Sequence, residues 1–466
     1  MSKLEVDKID PQSGTDLELG SSGDTITIPS GATLDASNAT TTLPANVVTT
    51  DGTQTLTNKT IAAGSNTVTG LTNSNLSGSA AISNANLANS SITINDTAVS
   101  LGGSTSISTG GMYKNIIING DMSIAQRGTS VSSITTSSYN TLDRFKLTIG
   151  SAGTWTQSQS TDVPSGQGFA KSLKMDCTTA NASLSSGAYF FLEQQIEGQN
   201  LQYLKKGTAN AESLTLSFWV KSNKTGTYIA ELRDTDNDRA ISKSYTISSA
   251  STWEKKTITY DGDTSGAFTN DNNTSLRLQF HLGAGSSYQS GTLQTSWGAR
   301  TQADEVVGQV NLADSTSNEW YVTGVQLEAG TASDFEFLPH DINLKRCQRY
   351  YAVVADRRTS GVNPIRDQRA IGIGTTHYPN QVSVQMHFPT EMRTVPSIDQ
   401  ASGTDYYQYY HETTGDNFDS FNSIGGNGVS TMIVRNTNQI SASHGVSGTV
   451  NATSSGNSYV AFDAEL

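Results

Sequence analysis

Apolar and polar residues alternate with a period of two along several stretches of the chain. Leu214, Leu216, Phe218 and Val220 fall on one side of that period, with Thr215, Ser217, Trp219 and Lys221 on the other. Leu276, Leu278, Phe280 and Leu282 repeat it against Arg277, Gln279 and His281, and Tyr321, Val325 and Leu327 stand opposite Trp320, Gln326 and Glu328. Such alternation predicts antiparallel strands with one face in a core. Later, Val382, Val384, Met386 and Phe388 alternate until Pro389 ends the run. Helical periodicity is scarce. One short helix is expected, capped by Asp341, with Leu344, Cys347 and Tyr351 on one face. The fold class is therefore all-β, with a two-sheet sandwich of jelly-roll type at its centre.

Before residue 112 the pattern changes. The pieces Thr25-Ile26-Thr27-Ile28 and Ser91-Ile92-Thr93-Ile94 alternate but are short, with turns expected at Ser21-Ser22-Gly23 and Gly102-Gly103. Between them Leu71, Leu76, Ile82, Leu87 and Ile92 recur every five or six positions, and Asn73-Ser-Asn-Leu76 nearly copies Asn84-Ala-Asn-Leu87. All five Trp, 17 Tyr and 13 Phe lie from Tyr113 onward. Aromatic side chains dominate the burial in ordinary cores, so residues 1–111 lack the means to fold alone. A repeat that cannot bury its apolar residue can bury it against the same repeat in another chain. This reading makes 1–111 a tether and a thin shaft of three chains; a disordered linker is the alternative. Residues 112–340 then form the jelly roll and 341–466 a β-sandwich tip.

Composition narrows the function. The net charge of −13 and the lack of any basic run argue against nucleic acid, which needs clustered cations to displace phosphate counterions. Before Gly111 only Lys3, Lys8 and Lys59 are cationic, so anionic membrane surfaces are expected to repel the segment. No 18-residue apolar run predicts membrane insertion. Cys177 and Cys347 form no disulfide framework and have no metal-ligand spacing. Both read as small buried residues. Arg233-Asp234-Thr-Asp236-Asn237-Asp238-Arg239 begins like a calcium loop. Arg239 stands where a Gly is needed and Tyr245 where a bidentate carboxylate is needed, so a polar hairpin is expected instead. No metal and no cofactor is expected.

Two sets of residues are candidates for recognition. Trp219 and Trp320 sit at positions the alternation assigns to solvent, and are expected to share a side with Arg277, Gln279 and His281. Indole surface beside amides and charges suits sugars, whose C–H faces stack on aromatic rings while hydroxyls take hydrogen bonds; cover by loops or a neighbouring subunit is the alternative. The second set is Tyr406-Tyr407-Gln408-Tyr409-Tyr410-His411. As a strand it puts Tyr406, Gln408 and Tyr410 on one face and Tyr407, Tyr409 and His411 on the other. One face is core; the other meets a receptor or a neighbouring subunit. The histidines, scattered from His281 to His444, accompany no nucleophile elbow, His-Glu-x-x-His or phosphate loop. A non-enzymatic role is expected.

Asn115-Ile-Ile-Ile-Asn119-Gly120-Asp121-Met-Ser-Ile-Ala-Gln126-Arg127-Gly128 resembles the opening strand of carbohydrate-binding-module-like jelly rolls in bacteriophage tail fibres. Trp320-Tyr-Val-Thr-Gly324-Val-Gln326-Leu327-Glu328-Ala-Gly330 resembles their closing strand, and Cys347-Gln348-Arg349-Tyr350-Tyr351 the segment that follows. Asp51-Gly-Thr-Gln54-Thr-Leu56-Thr-Asn58-Lys59-Thr-Ile61 is similar to a shaft element, while Phe388-Pro389-Thr-Glu-Met392-Arg393-Thr-Val-Pro396 and Ala461-Phe-Asp-Ala-Glu-Leu466 are similar to tip domains. The resemblance implies a homotrimeric fibre of the virion tail, acting outside cells. Its N-terminus would be held by a tail or baseplate protein, and its C-terminal domains would touch a host-surface glycan or outer-membrane protein. Rival readings are a fibre-borne polysaccharide depolymerase and a purely structural tail component.

Overall fold

A computed structural model describes residues 9, 19–35, 69, 87, 89–94, 97–104, 113–358, 369–453 and 457–466. The chain divides into two units, Met1–Ile107 and Ser108–Leu466. In the first, β1 (Ser91–Ile94) pairs antiparallel with β2 (Thr97–Ser100). The expected turns form: Asp24 N donates to Ser21 O, and Gly103 N to Ser100 O. The expected strand at Thr25–Ile28 does not, and Ile26 and Ile28 are 59% and 47% exposed. Among the described residues no strand pairs with this segment to cover the two side chains. Leu71, Leu76, Ile82 and the Asp51–Ile61 element lie outside the described residues.

The second unit is all-β apart from short helical turns and one α-helix among the described residues. Its sandwich is built from β3 (Ser130–Ile134), β4 (Ser138–Tyr139), β5 (Lys146–Gly150), β6 (Thr154–Ser160), β7 (Ser172–Thr179), β8 (Tyr189–Glu197), β9 (Leu214–Ser222), β10 (Gly226–Asp234), β11 (Arg239–Ile247), β12 (Glu254–Tyr260), β13 (Thr274–Ala284), β14 (Gly298–Ala299) and β15 (Glu319–Ala329). One sheet runs β14-β11-β10-β13-β8-β5-β4 and the other β12-β9-β15-β7-β6-β3. The alternating apolar residues of β9 and β13 meet Trp155, Leu192 and Leu327 in a single core between them.

In β15 the alternation misleads. Trp320, Val322, Val325 and Leu327 all face the core, because a bulge between Thr323 and Gln326 inserts a residue and inverts the parity. Gly324 makes it possible at φ +62°, where an added Cβ would meet the Phe169 ring at 2.6 Å. Trp320, expected at the surface, is fully buried and Tyr321 turns outward.

Asn115–Gly128 is not the opening strand the resemblance implied. Asn119 takes φ +62°, and its side chain bonds Ile124 O at 2.9 Å and Asp143 O at 3.0 Å, knotting the segment into a loop beside β15. There Gly120 O accepts from Val325 N, and a Cβ on Gly120 would fall 2.0 Å from Val325 O. The sandwich therefore opens at β3.

After α1 (His340–Gln348), the chain forms β16 (Tyr351–Asp356), β17 (Ala370–Tyr378), β18 (Gln381–His387), β19 (Ser397–Gln400), β20 (Tyr407–His411), β21 (Thr414–Phe418), β22 (Ser423–Gly425), β23 (Thr431–Asn436), β24 (Ser447–Ala452) and β25 (Tyr459–Asp463). Pro339, not Asp341, precedes α1, and its buried residues are Asn343 and Cys347. Sheet β16-β25-β19 packs on β21-β20-β24-β17-β18-β23-β22 through Ala352, Phe462, Val384 and Val434.

Charged groups lock this sandwich to the first. Glu465 pairs with Arg127 and with Arg144, Asp463 lies 3.0 Å from Arg127, and Arg144 is 1% exposed. Gln126 Nε2 donates to Tyr351 O at 2.6 Å, and Arg358 donates to the carbonyls of Gln126 and Arg127 at 2.8 and 2.6 Å.

Candidate functional site

Because β10, β13 and β8 are antiparallel neighbours and the β13–β8 ladder is regular from Leu276 to His281, the residues opposite their core positions form rows across the sheet. Arg233 faces Arg277, Glu231 faces Gln279 and Ile229 faces His281; on the other flank Gln279 faces Glu193 and His281 faces Phe191. Arg277, Gln279 and His281 thus come together, as expected, on the outer face of the seven-stranded sheet. Ile229 packs under Val306 of the segment between β13 and β15, which brings Arg300 and Glu305 over one end of the face.

The polar groups there are held tightly. Glu193 is 1% exposed and accepts from Gln279 Nε2 at 2.9 Å, Thr148 Oγ1 at 3.0 Å and Gln195 Nε2 at 3.1 Å. Glu231, also 1% exposed, accepts from Ser242 Oγ at 3.2 Å and lies 3.7 Å from His281 Nε2. Glu305 pairs with Arg300 Nε. Burial, reinforced by the neighbouring Glu231 charge, pushes the Glu305 carboxyl up to about 7. Arg233 Nε, Arg277 Nε and His281 Nε2 are buried without a hydrogen-bond partner among the described residues, although buried polar atoms are nearly always satisfied. Phe191 lies 5.1 Å from the His281 ring, and Tyr189 and Tyr288 continue the aromatic edge. Gln279 and His281 are each 3% exposed, so Arg233 and Arg277, 27% and 31% exposed, are the donors this face offers to a polyhydroxylated ligand.

The remaining sequence candidates lie elsewhere. Trp219 belongs to the other sheet and so does not share a side with Arg277; it lines a recess of ≈ 290 Å³ with Phe169, Phe335, Phe337 and Lys255. Trp320 is core. In β20 the inward face is the one carrying Tyr407 and Tyr409, both 0% exposed. Tyr407 OH donates to Ala401 O and Tyr459 O at 2.7 Å, and Tyr409 OH to Val446 O at 2.9 Å. Receptor contact through these two rings is therefore overturned. His411 is buried beside them, 3.1 Å from Asp416 Oδ2. Tyr406 is partly buried against the same core, while Tyr410 is 50% exposed in the outer row with Thr449 and Ile373. The Arg233–Arg239 segment closes a hairpin between β10 and β11, with Asp234 held by Lys206 at 2.5 Å. Cys177 and Cys347 are both buried and unlinked.

Sequence reasoning missed Glu193, Glu231, Arg233, Arg300 and Glu305. Glu193 had a signal, a carboxylate inside the apolar run Tyr189-Phe-Phe-Leu-Glu193. Arg300 and Glu305 come from an irregular segment, where no periodicity points to a face.

No family model matches the chain, and no curated protein does. Among solved structures, the enzymatically active domain of bacteriophage CBA120 tailspike protein 4 is similar at 17% identity over 47% of this chain, with a TM-score of 0.26. This chain spans 22% of that tailspike's length. A family 11 carbohydrate-binding module of a cellulosomal cellulase from Clostridium thermocellum matches at 12% identity over 43% of this chain and 99% of its own, with a TM-score of 0.21. The module TmCBM61, in complex with β-1,4-galactotriose, matches at 11% identity over 46% of this chain and 99% of its own, with a TM-score of 0.23. At such scores the likeness carries no argument about function, and the β-sandwich rests on its own strand pairing.

Proposed function

We propose that the chain is a non-enzymatic fibre protein of a bacteriophage tail that binds host-surface glycan through the outer face of the seven-stranded sheet. The observation carrying this reading is the pair Arg233 and Arg277, whose side chains are 27% and 31% exposed on that face beside the fixed Glu193–Gln279 pair. Saccharide hydroxyls accept from such guanidinium donors and donate to neighbouring oxygens. In a trimer, three weak faces act together, which raises avidity without any tight single site. The trimer itself draws support from the first unit, where Ile26, Ile28 and Leu34 are 59%, 47% and 75% exposed in a single chain. The N-terminal segment would join the tail, and the particle would work outside the cell.

Affinity electrophoresis through gels containing purified host envelope polysaccharide tests the reading. The full chain is expected to be retarded, and Arg233→Gln and Arg277→Gln to migrate freely with unchanged melting temperatures. Equal retardation of the variants would contradict it.

Hydrolysis of that glycan is the rival reading, favoured by the adjacent Glu231 and Glu305, one of which holds its proton near neutrality. Release of reducing ends from the same polysaccharide, abolished by Glu305→Gln, would establish it.

A further inference from the structure

Where the first sandwich meets α1 and the loop before β19, the surface opens into a second cavity of ≈ 740 Å³. It lies outside the polar face described above and is of a size that takes small ligands. One wall is aromatic: Tyr113 and Tyr203, 44% and 50% exposed. Lys345, Arg346 and Arg349 also line it, with Glu391 as the lining carboxylate. Arg349 is neutralised by Glu197, with both contacts at 2.8 Å. Arg346 and Lys345 are not. Arg346 donates one 3.3 Å bond to Asn115 O and lies 5.7 Å from the Tyr113 ring, and neither residue has a carboxylate within ion-pairing distance among the described residues. Burial lowers the Arg346 pKa from its ordinary value, and the Glu336 carboxylate nearby only partly offsets it.

Cations in a last helical turn complement the helix dipole, and that suffices for exposed Lys345. It does not explain a half-buried guanidinium turned into a cavity, in a chain of net charge −13. Asn200 and Thr390 on the rim add an amide and a hydroxyl. We infer that this cleft binds an acidic saccharide, its carboxylate on Arg346 and Lys345 and its C–H face on Tyr203. A planar carboxylate takes two parallel bonds from one guanidinium, and sugar rings stack on tyrosine, so one ligand class uses both sets of residues.

The test is calorimetric titration of the full chain with trigalacturonate, its methyl ester and inorganic phosphate. The inference predicts that trigalacturonate binds, that the ester binds at least about tenfold more weakly, and that phosphate does not compete at equal concentration. Lys345→Glu and Arg346→Gln are each expected to cost about tenfold or more. Tyr203→Ala is expected to weaken trigalacturonate with no change in oligomeric mass. Absence of binding, equal affinity for the ester, competition by phosphate at par, or indifference to the Lys345 and Arg346 variants would each overturn the inference. Loss of the oligomer in Lys345→Glu would overturn it as well, since the cleft would then seat a second copy. Arg277→Gln, which disables the outer-face site, should leave trigalacturonate binding intact, so the two readings can fail separately.

Discussion

Tyr409 and Tyr410 are neighbours in sequence and opposites in physics. Truncating buried Tyr409 to Ala leaves a cavity and an unpaired Val446 carbonyl, and should cost about 3–5 kcal/mol, while Tyr410→Ala should stay within about 0.5 kcal/mol; urea denaturation of both variants checks this. The sequence showed that the two rings fall on different faces but not which face is inward. The polar residues Ser402, Thr404 and Asp405 before β20 and Glu412 and Thr413 after it give no apolar partner to decide it; the answer lies in long-range pairing with β24.

Glu305 provides a titration signature at the same scale. Its folded pKa is raised from 4.5 to about 7, so the folded state holds a proton that the unfolded chain releases. Its contribution to stability is present below about pH 4.5 and is lost as pH rises through about 7. Asp143, raised to about 6 by its burial, has the same sign. The groups facing Glu305 are Glu231, Arg300, His281 and Arg233. Melting temperature measured against pH should fall less steeply for Glu305→Gln than for the parent between pH 4.5 and 7. Parallel profiles would show that Glu305 does not titrate there.

At the scale of elements, strict alternation found β9 and β13 and put Arg277, Gln279 and His281 on one face correctly. It failed in β15 because period-two counting assumes an unbroken ladder. A lone Gly in a strand marks a bulge, and Gly324 was the available sign. Gly324→Ala should strain a left-handed backbone position and press on Phe169, lowering stability by about 1–3 kcal/mol. A melting temperature unchanged by that substitution would mean the bulge relaxes without Gly. The segment around Asn115–Gly128 was recognisable by its residues, yet its shape was hidden, since side chains of Asn115 and Asn119 bind the backbone in place of a neighbouring strand.

For the whole molecule, composition located the change of character near residue 112 because aromatic burial cannot be improvised. The locking of the C-terminal residues onto the first sandwich was not legible, since it joins Arg127 and Arg144 to Glu465 across more than 300 positions. Glu465→Gln leaves buried Arg144 without its counter-charge, while Arg127 keeps Asp463, and should cost about 3–5 kcal/mol. Limited proteolysis should then release the C-terminal sandwich before the first one unfolds.

The claim on which the account depends is that sugar lies across β10, β13 and β8. A crystal structure of the full chain soaked with oligosaccharide from the host surface tests it most directly. The account predicts a saccharide hydrogen-bonded to Arg233 and Arg277. A saccharide seated elsewhere, with that face untouched at saturating concentration, would contradict it.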